Sequence, residues 1–97
     1  MAVYVVIKRK FRMNNPELII PLLKELNDRA KKQAGYISTE TLQSTEDLGD
    51  YLVMSAWESV EDWNSWFRNP QRKEIQNRVD SLIGERTFYE VFRPLYS

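Results

Sequence analysis

The sequence predicts an α+β fold in which one four-stranded antiparallel sheet carries its helices on one face. Strand-like and helix-like segments follow one another in the order strand, helix, strand, strand, broken helix, strand. Helical stretches open on asparagine–proline pairs at Asn15-Pro16 and Asn69-Pro70, where the asparagine caps and the proline fits the first turn. The strand segments also carry more apolar residues than a single helix layer can cover, among them Tyr4, Val6, Leu52, Met54, Phe88 and Phe92.

In the first strand, residues 3–11, Val3, Val5, Ile7 and Phe11 lie on one face and Tyr4, Val6, Lys8 and Lys10 on the other. Its first half is apolar on both faces, as suits a strand covered on two sides. Alternation sends Lys8 and Lys10 to one side and Arg9 to the other, so the run "KRKFR" is not one concentrated patch. Such charges guard strand edges against aggregation; their functional reading is a gate for an anionic substrate. "NNPE" then starts a helix, with Asn15 as cap and Pro16 at the first position. Ile19, Leu22, Leu23, Leu26 and Ala30 form its apolar stripe, Pro21 loosens its first turn, and Lys31, Lys32 and Gly35 mark its end.

Residues 36–44 ("YISTETLQS") and 51–57 ("YLVMSAW") form a hairpin across the polar loop "TEDLGD", whose length implies a bulge. Ser59 caps the next helix, with Asp62 at its third position in a capping-box-like arrangement. Asn69-Pro70 restarts the helix, and Ile75, Val79, Leu82 and Ile83 share a face until Gly84. "TFYEVFR", residues 87–93, is the last strand, ended by Pro94. This order folds most economically as the ferredoxin-like split β-α-β arrangement, a single domain over residues 1–97. The uncovered apolar sheet face calls for a homodimer packed sheet against sheet. Leu95 and Tyr96 either fray or reach over the partner subunit.

Composition narrows the chemistry. Fourteen basic residues balance fourteen acidic ones, so there is no broad positive field for nucleic acid or an anionic membrane. The chain has no cysteine and no histidine, which removes disulfides, thiolate nucleophiles, zinc–thiolate sites and the commonest metal ligand and general base. No metal site is expected. The N-terminal "MAVYVVIKRKF" lacks signal-peptide order and no stretch is long enough to span a bilayer, so a cytoplasmic location is expected. Three glycines in all, with no phosphate-cradling pattern, leave no flavin or nicotinamide fingerprint.

All three tryptophans, Trp57, Trp63 and Trp66, fall within "WESVEDWNSWFRNP". Trp57 ends a strand, while Trp63 and Trp66 are helical neighbours on a stripe with Val60 and Phe67. Large indoles serve a thin core well, and that is the expected role of Trp57 and Trp63. Trp66 sits one turn before the Asn69-Pro70 break, where a complete close-packed layer is harder to build, so an open pocket is expected beside it. Asp62, four residues earlier, projects to nearly the same side, whereas Asn64 points about 160° away. Asp62 is thus both a helix cap and the better pocket candidate.

The segments "GYISTETLQS" and "YLVMSAWESVEDWNSWFRNPQRKEIQNRV" resemble the antibiotic biosynthesis monooxygenase domain family, and the likeness covers nearly the whole chain. The resemblance implies a dimeric α/β barrel with a pocket between helices and sheet in each monomer. Its members include cofactor-independent oxygenases of polycyclic phenols or anthrones, haem-degrading enzymes and quinol-handling proteins. Trp66 falls where haem-degrading relatives carry the tryptophan that distorts the porphyrin, but Gln76 stands where they have the iron-ligating histidine. The asparagine of their first strand would align near Lys8 or Lys10. Neutral glutamine is a poor iron ligand, so haem degradation is disfavoured.

The expected function is therefore that of a small monooxygenase needing no cofactor and acting, with dioxygen, on an aromatic or quinol-like molecule. Trp66 and Asp62 are the candidate catalytic residues, Asp62 as base if burial raises its pKa. Trp63, Trp66, Phe67 and a tyrosine from the strands would wall the pocket, and Arg72 or Gln76 would donate to an oxyanion. The alternative is a dimer that binds a small hydrophobic ligand without catalysis. A cavity of ~300 Å³ or more touching Trp66 and a carboxylate would mark a ligand site.

Overall fold

The computed structural model describes residues 2–11, 16–83 and 86–96. Along the chain lie β1 (Val3–Lys10), a 3-10 turn (Pro16–Leu18), α1 (Ile20–Ala30), β2 (Tyr36–Gln43), β3 (Asp50–Trp57), α2 (Val60–Phe67), α3 (Pro70–Ile83) and β4 (Phe88–Phe92). The strands form one antiparallel sheet in the order β2-β3-β1-β4, the ferredoxin-like topology. The most apolar strands, β1 and β3, take the centre, where both edges are hydrogen-bonded and both faces can be covered.

Register decides which side chains meet. Val5 pairs with Ser55 and Val91, and Ile7 with Val53 and Tyr89, so these residues share the face that the helices cover. Val3, Val5, Ile7 and Val53 on this face are buried, together with Ile19, Leu26 and Ala30 of the α1 segment and Ile75, Val79 and Ile83 of α3. Trp57 is completely buried. An indole of this kind removes roughly 200 Å² from water, or about 5 kcal/mol before entropy is counted.

Several local features follow from cap chemistry. Ser59 has an extended backbone, and its Oγ accepts from the Asp62 backbone N–H at 3.1 Å. Asn69 Oδ1 accepts from the N–H groups of Gln71 at 2.8 Å and Arg72 at 3.2 Å, so the Asn-Pro pair opens α3 as expected. The first helix differs. Asn15 lies outside the described residues, the chain makes a 3-10 turn at Pro16–Leu18, and α1 begins only at Ile20 with Pro21 in its first turn. A helix running from Pro16 would put Pro21 where its missing N–H and its ring are costly; starting anew at Ile20 puts that proline where no N–H is required. The hairpin loop shows no bulge among its paired residues; the register shift lies at the other end of β2, between Tyr36 and Ser38. Ser44 Oγ, which accepts from Glu46 and Asp47, and Asp47 Oδ1, which accepts from Gly49 N–H, stabilise the loop instead. Gly84, expected to stop α3, lies outside the described residues.

The opposite sheet face is open. Tyr4, Met54, Phe88 and Phe92 are 44, 42, 63 and 47% exposed. Leu95 and Tyr96 are also exposed.

Candidate functional site

Between the helices and the sheet lies a cavity of about 60 Å³. Ile7, Arg9, Val53 and Ser55 form its floor, Leu23, Leu26, Asn27 and Ala30 of α1 one wall, and Trp63, Trp66, Arg72 and Tyr89 another. Thr39 and the exposed Thr41 of β2 complete it. The volume is well below the ~300 Å³ typical of ligand pockets, and holds about four waters at 10–15 Å³ each.

Aromatic rings form one continuous wall. Tyr36 meets Trp57 edge-on at 5.6 Å, Trp57 meets Trp63 at 5.9 Å, and Trp63 reaches Phe67 at 5.7 Å and Tyr89 at 6.1 Å. Phe67 and Tyr89 close the group at 5.1 Å. The Arg72 guanidinium lies 4.6 Å from the Phe67 ring centre and 5.5 Å from that of Tyr89. It also donates through Nε to the Phe67 carbonyl at 2.9 Å and through Nη1 to the Tyr89 hydroxyl at 3.0 Å. A guanidinium held by two rings and two oxygens has little freedom left, so Arg72 is a fixed positive charge on the cavity wall.

Arg9 is a second buried cation, only 6% exposed. Strand alternation puts it on the same face as Val5 and Ile7, away from Lys8 and Lys10. Its Nη2 donates to Gln76 Oε1 at 2.9 Å. Gln76 Nε2 in turn donates to Thr87 Oγ1 and Asp80 Oδ1, both at 2.8 Å, and Thr87 Oγ1 donates to Asp80 Oδ1 at 2.9 Å. Burial pulls the Arg9 pKa below the usual guanidinium value, with Tyr89 and Asp80 opposing and Arg72 reinforcing that shift; the group nonetheless remains a cation at neutral pH.

Trp63, Trp66 and Arg72 meet at the cavity, and Phe67 lies just behind it through its contacts with Trp63 and Arg72. Gln76 does not line the cavity; its amide is used in holding Arg9. Asp62 is placed differently from the sequence expectation. It does not line the cavity but shares a 2.9 Å hydrogen bond with Ser59 Oγ and lies against Gly35. Gly35 has φ +80°, and a Cβ there would collide with the Asp62 side chain. The reason is the extended entry at Ser59, which turns the first helical turn toward the α1–β2 connection, so that sharing a helix side with Trp66 does not bring Asp62 into the same hollow. Among the described residues no carboxylate lines the cavity. Contributors missed by the sequence reading include Arg9, Asn27 and Ser55, whereas Tyr89 of β4 is a strand tyrosine of the kind expected in the wall. Alternation already separated Arg9 from its lysine neighbours, and Asn27 interrupts the apolar stripe of α1, so both left a trace in the pattern.

The fold and cavity define a ferredoxin-like α+β protein that carries an aromatic, doubly cationic hollow between helices and sheet. Residues 2–78 match the antibiotic biosynthesis monooxygenase family, and the chain belongs to it. No curated protein sequence matches the chain. Among solved structures it is similar to a conserved protein from Methanosarcina mazei Go1, with 20% identity over 96% of this chain and 92% of that one and a TM-score of 0.87. It is also similar to SnoaB, a cofactor-independent oxygenase from Streptomyces nogalater, at 11% identity, 99% and 95% coverage and TM-score 0.87. Rv0793 from Mycobacterium tuberculosis gives 16% identity, 100% and 98% coverage and TM-score 0.86. At these identities the likenesses establish the fold alone. Among the described residues no group of His, Cys, Asp and Glu could hold a metal ion, and no helix is long and apolar enough to cross a membrane.

Proposed function

We propose that this protein is a small oxygenase that needs neither metal nor flavin and acts, with dioxygen, on an aromatic or quinol-like compound bound at the Trp63–Trp66–Arg72 cavity. Family membership and one geometric observation support the reading: two buried guanidiniums face a hollow that, among the described residues, no carboxylate lines. A cation that stabilises the deprotonated form of a bound phenol lowers its pKa, so the site favours an electron-rich anion with solvent as proton acceptor. That anion transfers one electron to dioxygen, and recombination of the resulting radical with superoxide gives a peroxide anion. Protonation and loss of water leave a carbonyl, so one O₂ converts a CH₂ to C=O plus H₂O; in a hydroquinone the carbon attacked is the ring C–H ortho to the oxyanion, a CH₂ in the keto tautomer, and the product is a hydroxyquinone plus H₂O. Asp62 stays a candidate for proton transfer only if the α2 entry shifts toward the cavity.

Size restricts the substrate. A cavity of about 60 Å³ is less than half of the ~150 Å³ that holds one benzene in an apolar core. The polar end of the compound fits inside, and its ring lies at the mouth against Trp66. The working unit is proposed to be a homodimer located in the cytoplasm, with the open sheet faces of two copies packed together.

An oxygen electrode tests the reading with single-ring hydroquinones and with anthrones. Hydroquinones should consume one O₂ per molecule, faster than anthrones, and Trp66→Phe should slow uptake by about tenfold through loss of positioning. A wild-type rate in that variant, or no uptake with any of these compounds, removes the oxygenase reading. That no carboxylate lines the wall among the described residues supports a second reading, a binding protein without catalysis, and saturable binding without oxygen uptake would establish it.

A further inference from the structure

Two polar atoms of residues that line this cavity are buried, and among the described residues neither has a hydrogen-bond partner: Arg9 Nε, a cationic donor, and Asn27 Oδ1, an acceptor. Both residues line the same hollow, Arg9 from β1 and Asn27 from α1. Leaving such groups unpaired costs about 1–3 kcal/mol each, and more for a charge, so an occupant of the hollow that answers both, water or ligand, is favoured. An apolar ligand would answer neither.

We infer that the cavity selects a head group made of one anionic oxygen beside one hydroxyl, with Arg9 Nε–H donating to the anion and Asn27 Oδ1 accepting from the hydroxyl. The inference rests on the reading of this cavity as the ligand site and narrows its ligand class. The Arg9 guanidinium is held through Nη2 by Gln76, which Thr87 and Asp80 hold in turn, so Nε keeps one orientation and little entropy is lost on binding. Among the described residues neither Arg9 nor Arg72 forms an ion pair with a carboxylate, which leaves their charge for the ligand. Asn27 is the polar residue among Leu23, Leu26 and Ala30 on the α1 wall, and its amide reaches a region otherwise apolar on that side. The space suits a head group of a few heavy atoms.

The test uses the full chain with lactate, its neutral amide lactamide, and propionate, which lacks the hydroxyl. Fluorescence of the wall tryptophans and calorimetry report binding. Lactate should bind saturably, lactamide weaker by about tenfold or more for loss of the charge-assisted bond, and propionate weaker by about three- to tenfold for loss of the hydroxyl. Asn27→Leu should bring lactate down to the propionate level, and Arg9→Met should remove the preference for lactate over lactamide. If Arg9→Met does not fold, the three ligands on the native chain and on Asn27→Leu still decide. Equal affinity for lactate and lactamide, or no saturable response to lactate, overturns the inference. A protein inert toward oxygen that still selects lactate loses the oxygenase reading and keeps this one; an active oxygenase indifferent to the anion does the reverse.

Discussion

Arg72 joins stability and function in one side chain. Its Nε and Nη1 satisfy the Phe67 carbonyl and the Tyr89 hydroxyl while its plane covers both rings. Removing it strands two polar oxygens in a largely apolar setting and opens the aromatic wall. Arg72→Ala should therefore cost about 2–4 kcal/mol in urea unfolding. Arg72→Lys should recover less than half, because an ammonium cannot serve the fork and the ring face together; full recovery by lysine would mean that charge alone matters. Trp66 and Trp63 were legible as pocket and core from spacing, but the partners of Arg72 were not, because Tyr89 is 17 residues away and only the strand register brings it near.

The junction between α2 and α3 sets the angle at which the cavity wall stands. Trp63 and Trp66 lie on α2 and Arg72 on α3, and the wall is continuous because the helix stops at Phe67 and restarts at Pro70. Asn69 holds the restart through two side-chain hydrogen bonds. Asn69→Ala should lower stability by about 1 kcal/mol, read as a drop in melting temperature of roughly 4–8 °C for a domain of this size. An Asn69→Ala protein as stable as the parent would show that packing rather than the cap fixes the break. This element was fully visible in the sequence, since cap, proline and apolar stripe are local signals. The start of α1 was not, because whether Pro16 or Pro21 opens the helix depends on which start lets Ile19 and Leu26 reach the core together.

At the scale of the whole molecule the open sheet face is a surface that the monomer does not explain. Tyr4, Met54, Phe88 and Phe92 stand exposed on it, and an apolar patch of this kind on a small protein marks an interface. A symmetric dimer would place this patch against the same patch of a second copy. Sedimentation of the native chain should give a dimer, and Met54→Lys combined with Phe92→Glu should give a monomer with the cavity residues undisturbed. A native chain that sediments as a monomer at tens of micromolar would dismiss the sheet-to-sheet arrangement.

The sequence by itself determined the order of elements, the parity of the first strand and the capped helix starts at Ser59 and Asn69, because these depend on interactions between residues a few positions apart. Parity alone put Arg9 opposite its lysine neighbours. Only the tertiary structure decided that Arg9 and Asn27 share one small hollow, that Gln76 serves as a prop for Arg9, and that Asp62 faces Gly35. Those outcomes depend on strand register and helix orientation, which arise when distant segments pack against one another, and no local pattern encodes the angle at which they meet.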